Sequence, residues 1–236
     1  MERLFYAPDI ALDPVLPEEE SQHCVKVLRL SKGDPIMLAD GKGFFYAATI
    51  ENAHPKHCRV TVTHRQPQKP LHDYTVHIAV APTKNMDRME WFVEKATEIG
   101  IDAITFLRCR HSERKDIKLQ RLQKTVISAM KQSNKSTLPL INEIVDFENF
   151  ISYGGFDVKM IAHCAISAES HRQPMKDCYP LGHNALILIG PEGDFSQDEI
   201  TAALTAGFIP ITLGESPLRT ETAALVACHT IHLLNQ

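Results

Sequence analysis

The stretch 186-LILIGPEGDFSQDEI-200 combines a strand, a tight turn and a helix start. Its apolar run at 186–189 ends at glycine, which is typical of a fully buried strand. Gly190 and Gly193 let the backbone approach a ligand closely, and Pro191 stiffens the turn. Ser196 followed three residues later by Glu199 predicts a capping box at the start of a helix. A buried strand that turns directly into a helix favours an α/β fold with a parallel sheet.

The segments on either side extend the same alternation. Apolar runs predict strands at 75–82, 102–109, 158–164, 185–190 and 209–214, and helical periodicity predicts helices at 86–100, 116–134, 196–206 and 220–236. Strands alternating with helices indicate a parallel sheet, whose ligands bind beyond the carboxyl ends of its strands. The glycine patterns of P-loop and Rossmann nucleotide sites are absent from the sequence.

The first 65 residues have a different pattern. Strand-like runs surround the turn residues 40-DGKG-43, which predicts a hairpin, and a short helix is expected at 17–30. The proline-containing polar stretch 65–73 is typical of a linker. We therefore expect two domains, at 1–70 and 73–236.

Composition narrows the class of protein. The chain has 236 residues, a net charge of −4 and six scattered cysteines without a paired C-x-x-C motif, so we expect reduced thiols and no metal site. It has neither a secretory signal nor an apolar stretch of about 18 residues, which makes the cytoplasm the expected location. Segment 108–135 carries nine Lys or Arg and two acidic residues. This excess of positive charge indicates either a surface that binds phosphates or a solvated helix face.

A second glycine-containing loop is 213-LGESPLRTETAALVA-227. Thr220 is the expected N-cap of the last helix, so Arg219 lies where the helix dipole disfavours a cation. Arg219 either pairs with Glu215 or Glu221 or holds negative charge on a reacting group. In the first loop, Glu192 and Asp194 argue against a phosphate ligand. They leave a neutral or cationic ligand, or a purely structural turn.

These two loops resemble the signature loops of the SPOUT methyltransferase superfamily and, within it, of the RsmE family of 16S ribosomal RNA uracil-N3 methyltransferases. The resemblance extends to 23–50, 84–100 and 131–139. The chain departs from the family pattern at Asp194, where a second glycine is usual, and at Glu215-Ser216-Pro217.

The resemblance implies a SPOUT α/β trefoil-knot domain with a parallel sheet, preceded by a small PUA-like β-barrel domain. It implies a homodimer, without a metal or a membrane partner, that uses S-adenosylmethionine. The substrate would be uracil N3 of one uridine in the decoding region of 16S rRNA or the small ribosomal subunit. Arg219 would be catalytic by stabilising the uracil anion. Cofactor contacts are expected at Leu188, Gly190, Pro191, Glu192, Gly193, Leu213, Gly214, Ser216, Leu218 and Thr222, and RNA contacts at Arg29, Lys84, Arg88, Arg110, Lys115, Lys118, Arg121 and Lys135.

Three questions stay open at the level of sequence. The base that removes the N3 proton is one of several histidines, with His23, His111 and His163 as candidates. Another SPOUT enzyme, such as a ribose 2′-O-methyltransferase, would share the loops. A non-enzymatic RNA-binding module with a degenerate knot would share the charge pattern.

Overall fold

The computed structural model describes residues 4–165 and 171–236. The chain forms two compact units. The first contains the chain up to Pro70 together with 127–138, and the second contains 71–126 and 139–236. Segment 127–138 thus packs with the first unit, whereas the sequence pattern places it in the second.

The first unit is built on one four-stranded sheet in the order β1-β2-β3-β4. Its elements are β1 Leu4–Tyr6, α1 Glu18–Gln22, β2 Pro35–Ala39, β3 Phe44–Asn52 and β4 Arg59–Pro67. β1 is parallel to β2, and the other neighbours are antiparallel. The predicted hairpin turn lies between β2 and β3. There the buried carboxylate of Asp40 accepts hydrogen bonds from the Lys42 and Phe44 amides and from the Tyr46 hydroxyl.

The helix predicted at 17–30 is shorter than expected. After α1 the chain makes a π-helical turn over His23–Val27, and Arg29 then adopts a left-handed backbone with φ of 56°. Because a left-handed residue ends a helix, the segment turns away before residue 30.

The second unit is built on a sheet of seven strands, all parallel, in the order β7-β6-β5-β10-β8-β11-β9. The strands are β5 Val76–Val80, β6 Ala103–Arg108, β7 Leu140–Asp146, β8 Val158–Ala162, β9 Gln173–Pro174, β10 Ala185–Ile189 and β11 Ile209–Thr212. Every residue of β5 and β10 is buried, which explains their continuous apolar runs. The predicted α/β class with a parallel sheet is confirmed.

The helices of the second unit connect these strands. They are α2 Met86–Ile99, α3 Leu119–Gln132, α4 Phe147–Phe150, α5 Met175–Cys178, α6 Gln197–Thr205 and α7 Thr220–Leu234. The part of α3 from residue 127 onward belongs to the first unit. Ser196 caps α6 with the predicted capping box to Glu199. Phe92 of α2 is buried, whereas its neighbour Trp91 is 43% exposed. Successive helical residues point about 100° apart, and α2 buries only one face.

The last helix begins one residue earlier than the expected N-cap implies. Arg219 occupies the N-cap position in an extended conformation without a capping side chain, and Thr220 is the first helical residue. The prediction that Thr220 is the N-cap is therefore wrong. The buried face of α7, which includes Ala224, Ala227 and Ile231, packs on α2, β5 and β10 of the same chain.

Candidate cofactor cavity and its surroundings

Three loops meet at the carboxyl edge of the parallel sheet. Because β10, β8 and β11 are neighbours and run in the same direction, the segments that follow them emerge side by side. These segments start at Gly190, His163 and Leu213. They enclose a cavity of about 640 Å³, which lies within the range of small-molecule sites.

Most of the predicted cofactor residues line this cavity. They are Gly190, Pro191, Glu192, Leu213, Gly214, Ser216 and Leu218. Leu188 instead is fully buried in β10, Gly193 packs against His111, and Thr222 is half-buried on α7. The structure does not bring these three to the lining, and their contacts with a ligand stay predictions.

Hydrogen bonds between the loops fix the shape of the cavity. The Thr220 hydroxyl donates to the Gly190 carbonyl over 3.0 Å in a buried position, joining the start of α7 to the turn after β10. Asp194 Oδ2 accepts the amides of Cys164 and Ala165 at 2.7 and 3.1 Å, joining that turn to the loop after β8. The three loops therefore form one braced structure.

The two carboxylates of the first loop are explained by this bracing. Glu192 Oε1 accepts the Lys84 amide at 3.0 Å, and Asp194 accepts three backbone amides, including that of Phe195. Asp194 also has φ of 60°, a left-handed conformation that glycine adopts without strain and that Asp adopts more readily than most other residues. This conformation explains why a glycine is usual here in the family that the sequence resembles. The side chain of Asp194 then adds the link to the neighbouring loop.

His111 supports the same turn from outside the cavity. Its Nδ1 lies 3.1 Å from the carbonyl oxygens of both Gly193 and Asp194, so Nδ1 carries the proton and donates. A Cβ on Gly193 would lie 3.1 Å from the Cβ of His111, which explains the glycine at this position. His111 is therefore a positioning residue for the loop. His23, the second histidine considered as a base, is exposed in the first unit.

His163, the third histidine, lines the cavity directly. It is 4% exposed, and neither ring nitrogen has a hydrogen-bond partner among the described residues. Burial lowers the pKa of its ring. The positive charge of Arg172 also lowers this pKa, whereas the negative charge of Asp194 and the backbone of Ala165 raise it. The Ala165 backbone nevertheless makes no hydrogen bond to the ring. The ring is therefore neutral near pH 7.

Arg219 lies at the rim of the cavity and is exposed. Within the part of the chain that the structure describes, its guanidinium makes no ion pair with Glu215, Glu221 or any other carboxylate. Glu221 is buried instead, with Oε1 3.8 Å from Nε of Arg88. Pairing with Glu215 or Glu221, the structural alternative for Arg219, is thus not supported.

The predicted RNA contacts fall into two groups. Most of the cations in the second unit have acidic partners: Lys84 with Glu113, Arg88 with Glu221, Arg110 with Asp198, and Arg121 with Asp87 and Glu90. Lys115 and Lys118 are exposed, and no carboxylate of the described residues pairs with either.

The remaining two predicted contacts belong to the first unit. Arg29 is exposed on it, whereas Lys135 is buried, with 9% exposure. A buried ammonium is poorly placed for phosphate, so the structure does not favour Lys135 as an RNA contact.

Residues 69–232 match the family described as RNA methyltransferase domain, and residues 16–63 match the family described as RNA methyltransferase PUA domain. Ribosomal RNA small subunit methyltransferase E from Synechocystis is 30% identical, over 98% of this chain and 77% of the relative. The chain belongs to the ribosomal RNA small subunit methyltransferase E family. It is a methyltransferase, and the expected PUA-like N-terminal domain is confirmed.

Solved structures agree with this assignment. The crystal structure of a "probable rRNA-methyltransferase" from Porphyromonas gingivalis has a TM-score of 0.93 and 46% identity, covering 99% of this chain and 98% of that one. The crystal structure of a ribosomal RNA small subunit methyltransferase E from Neisseria gonorrhoeae, bound to S-adenosyl methionine, has a TM-score of 0.84 and 27% identity, with the same coverage. The predicted fold class, a SPOUT domain preceded by a PUA-like domain, is confirmed.

The described residues contain neither a group of metal-binding side chains nor a membrane span. Across residues 4–165 and 171–236, no three His, Cys, Asp or Glu side chains are grouped to hold a metal ion. None of the helices there has the length and apolar composition of a membrane span.

Proposed function

We propose that this methyltransferase transfers the methyl group of S-adenosylmethionine to N3 of one uridine in the decoding region of 16S rRNA, forming 3-methyluridine. The observation that carries the proposal is the cavity of about 640 Å³ at the sheet edge, with Arg219 at its rim and without an ion pair to any carboxylate of the described residues. The family of the chain supports the reaction class. We assign RNA reading to the domain of residues 1–70 and catalysis to the domain of residues 73–236, of which the second unit contains all but 127–138.

The residues of the cavity fit the cofactor. Ile189, Leu213 and Leu218 offer apolar surface, and the loop backbones offer amides and carbonyls for the polar edges of an adenosine. Asp194 and Glu192 place negative charge near the cavity, and backbone amides donate hydrogen bonds to both carboxylates. A neutral purine is not repelled by this charge. The buried ring of His163 has unused hydrogen-bonding capacity for a ligand. When bound, S-adenosylmethionine supplies an electrophilic methyl group.

The residues of this chain then act on the base. Uracil N3 is a poor nucleophile until its proton leaves, and the negative charge then spreads to O2 and O4. The Arg219 guanidinium, free of a carboxylate partner, stabilises this charge by hydrogen bonds that strengthen as it develops. The loops hold the base in line with the methyl group, which removes most of the entropic cost of the encounter.

The RNA must present this base unpaired, because N3 lies on the pairing edge. Lys115 and Lys118 are the cations best placed to hold phosphates near the catalytic unit, and Arg29 extends the contact to the PUA domain. Four further cations bind phosphates by exchanging their carboxylate partners for them: Lys84, Arg88, Arg110 and Arg121. We further propose a homodimer that works in the cytoplasm on the assembled small subunit or its RNA.

The test is methyl transfer to purified small ribosomal subunits, followed by nucleoside analysis of the 16S rRNA. The proposal predicts 3-methyluridine as the product. A ribose-methylated nucleoside would instead assign the chain to 2′-O chemistry. Absence of any product, together with absence of cofactor binding in calorimetry, would indicate an RNA-binding module.

A further inference from the structure

One face of the cavity carries polar groups that the proposed reaction leaves unused. His163 and Arg172 both line it, on the side of the loop that follows β8. Nη1 of Arg172 donates to the His163 backbone carbonyl over 2.8 Å. This bond anchors the guanidinium to the His163 backbone, and its other N–H groups donate to no other described residue.

The ring of His163 requires an explanation because a buried polar side chain is normally hydrogen-bonded. At 4% exposure it has lost contact with bulk water, yet both ring nitrogens lack partners in the described chain. Leaving such a group unsatisfied is costly, and the cost is removed when a ligand in the cavity supplies the partner. The orphaned ring therefore marks a subsite.

The charge of the subsite is set by Arg172. No carboxylate within the described ranges lies within ion-pair distance of it. Asp194, which also lines the cavity, uses Oδ2 for the Cys164 and Ala165 amides and Oδ1 for the Phe195 amide. An unpaired guanidinium beside a neutral imidazole N–H suits a carboxylate, because the planar fork of arginine matches two carboxylate oxygens.

We propose that Arg172 and His163 form the subsite for the α-carboxylate at the methionine end of the cofactor. This inference rests on the proposed function, since it assumes that S-adenosylmethionine occupies this cavity. Arg172 forms the charged hydrogen bonds, and the neutral His163 ring donates one more. The subsite thereby distinguishes ligands that carry the amino-acid end from those that consist of the nucleoside alone.

Two probes separate the subsite from the rest of the cavity. S-adenosylhomocysteine carries the amino-acid end, whereas 5′-methylthioadenosine has the same adenosine and a thioether but no carboxylate. Isothermal titration calorimetry on the full chain measures both dissociation constants for the wild type, Arg172→Ala, Arg172→Lys and His163→Asn. Lys176→Ala removes an exposed cation from nearby α5 that does not line the cavity, and it is the matched control.

The proposal predicts that Arg172→Ala weakens S-adenosylhomocysteine binding at least tenfold and changes 5′-methylthioadenosine binding less than twofold. Arg172→Lys recovers part of the loss, His163→Asn shows a smaller selective loss, and the control matches the wild type. Equal weakening of both ligands by Arg172→Ala would overturn the subsite and make Arg172 a support for the loop. Unchanged binding of both would also overturn it. A wild type that binds neither probe would instead refute the proposed function, and the subsite with it.

Discussion

Replacing Thr220 by valine removes a buried hydrogen bond between two of the loops that enclose the cavity. The valine side chain has nearly the same shape, so packing is preserved while the bond to the Gly190 carbonyl is lost. Thr220 is 5% exposed, and water does not reach the carbonyl to replace the hydroxyl. An unsatisfied buried acceptor costs about 1–3 kcal/mol, and we expect the free energy of unfolding to fall by that amount.

Urea unfolding followed by tryptophan fluorescence measures this loss. The chain has a single tryptophan, Trp91 on α2, so the signal reports on the second unit. The matched control is Thr201→Val on α6, where the lost bond to the Gln197 carbonyl is exposed and water replaces it. We expect the control to change stability by less than about 0.5 kcal/mol.

The same variant tests whether the bond shapes the cavity. If the loops are held in register by this contact, Thr220→Val also weakens S-adenosylhomocysteine binding, by about tenfold for each 1.4 kcal/mol needed to restore the arrangement. Stability equal to that of Thr201→Val, together with unchanged ligand affinity, would refute the bracing role of Thr220.

Two further predictions concern charge. Replacing Lys115 and Lys118 together by alanine should reduce the slope of log affinity for RNA against log salt by about 0.7 for each lost phosphate contact; an unchanged slope, matching a Lys176→Ala control, would remove these lysines from the RNA surface. His77 is buried on β5, and burial lowers its pKa from 6.5 to about 4. Because the unfolded chain takes up this proton first, the free energy of unfolding should fall by up to about 3 kcal/mol as the pH drops from 6.5 to 4. His77→Gln keeps a polar group that can donate to or accept from the Thr105 hydroxyl, and it should flatten the decrease in urea titrations across this range; an equally steep decrease would assign it to other groups.

The parts of the fold that follow local rules were predictable from the sequence. The apolar run of β10 and the capping box of Ser196 and Glu199 depend only on neighbouring residues, and both are confirmed. The meeting of the two glycine-containing loops follows from the rule that parallel strands end at one edge. The composition of the loops therefore sufficed to locate the cavity.

The contacts that close the cavity depend on pairs far apart in sequence. Thr220 looked like an N-cap because its hydroxyl is a common capping group, but the Gly190 carbonyl, 30 positions away, offers it another partner. Asp194 looked like a charge for a ligand, whereas it accepts amides from the loop after β8. Such pairings need the strand order, which periodicity alone does not reveal.

Two other features lacked a local signal. His163 was one of three candidate bases on account of its imidazole, and nothing local to it distinguished it from His23 and His111. Arg172 had no indication at all. The packing of 127–138 with the first unit was equally hidden, because a helix pattern does not state which domain it contacts.

The central claim is that the loops bind the methyl donor while Arg219 acts on the base. The most direct measurement is the single-turnover rate of methyl transfer to small ribosomal subunits by Arg219→Ala, compared with its dissociation constant for S-adenosylhomocysteine. The account predicts a dissociation constant within about threefold of the wild type and a rate lower by a factor of about 100 or more, the usual effect of removing a group that stabilises developing charge. A rate and an affinity that fall by the same factor, or a rate that does not change, would contradict it.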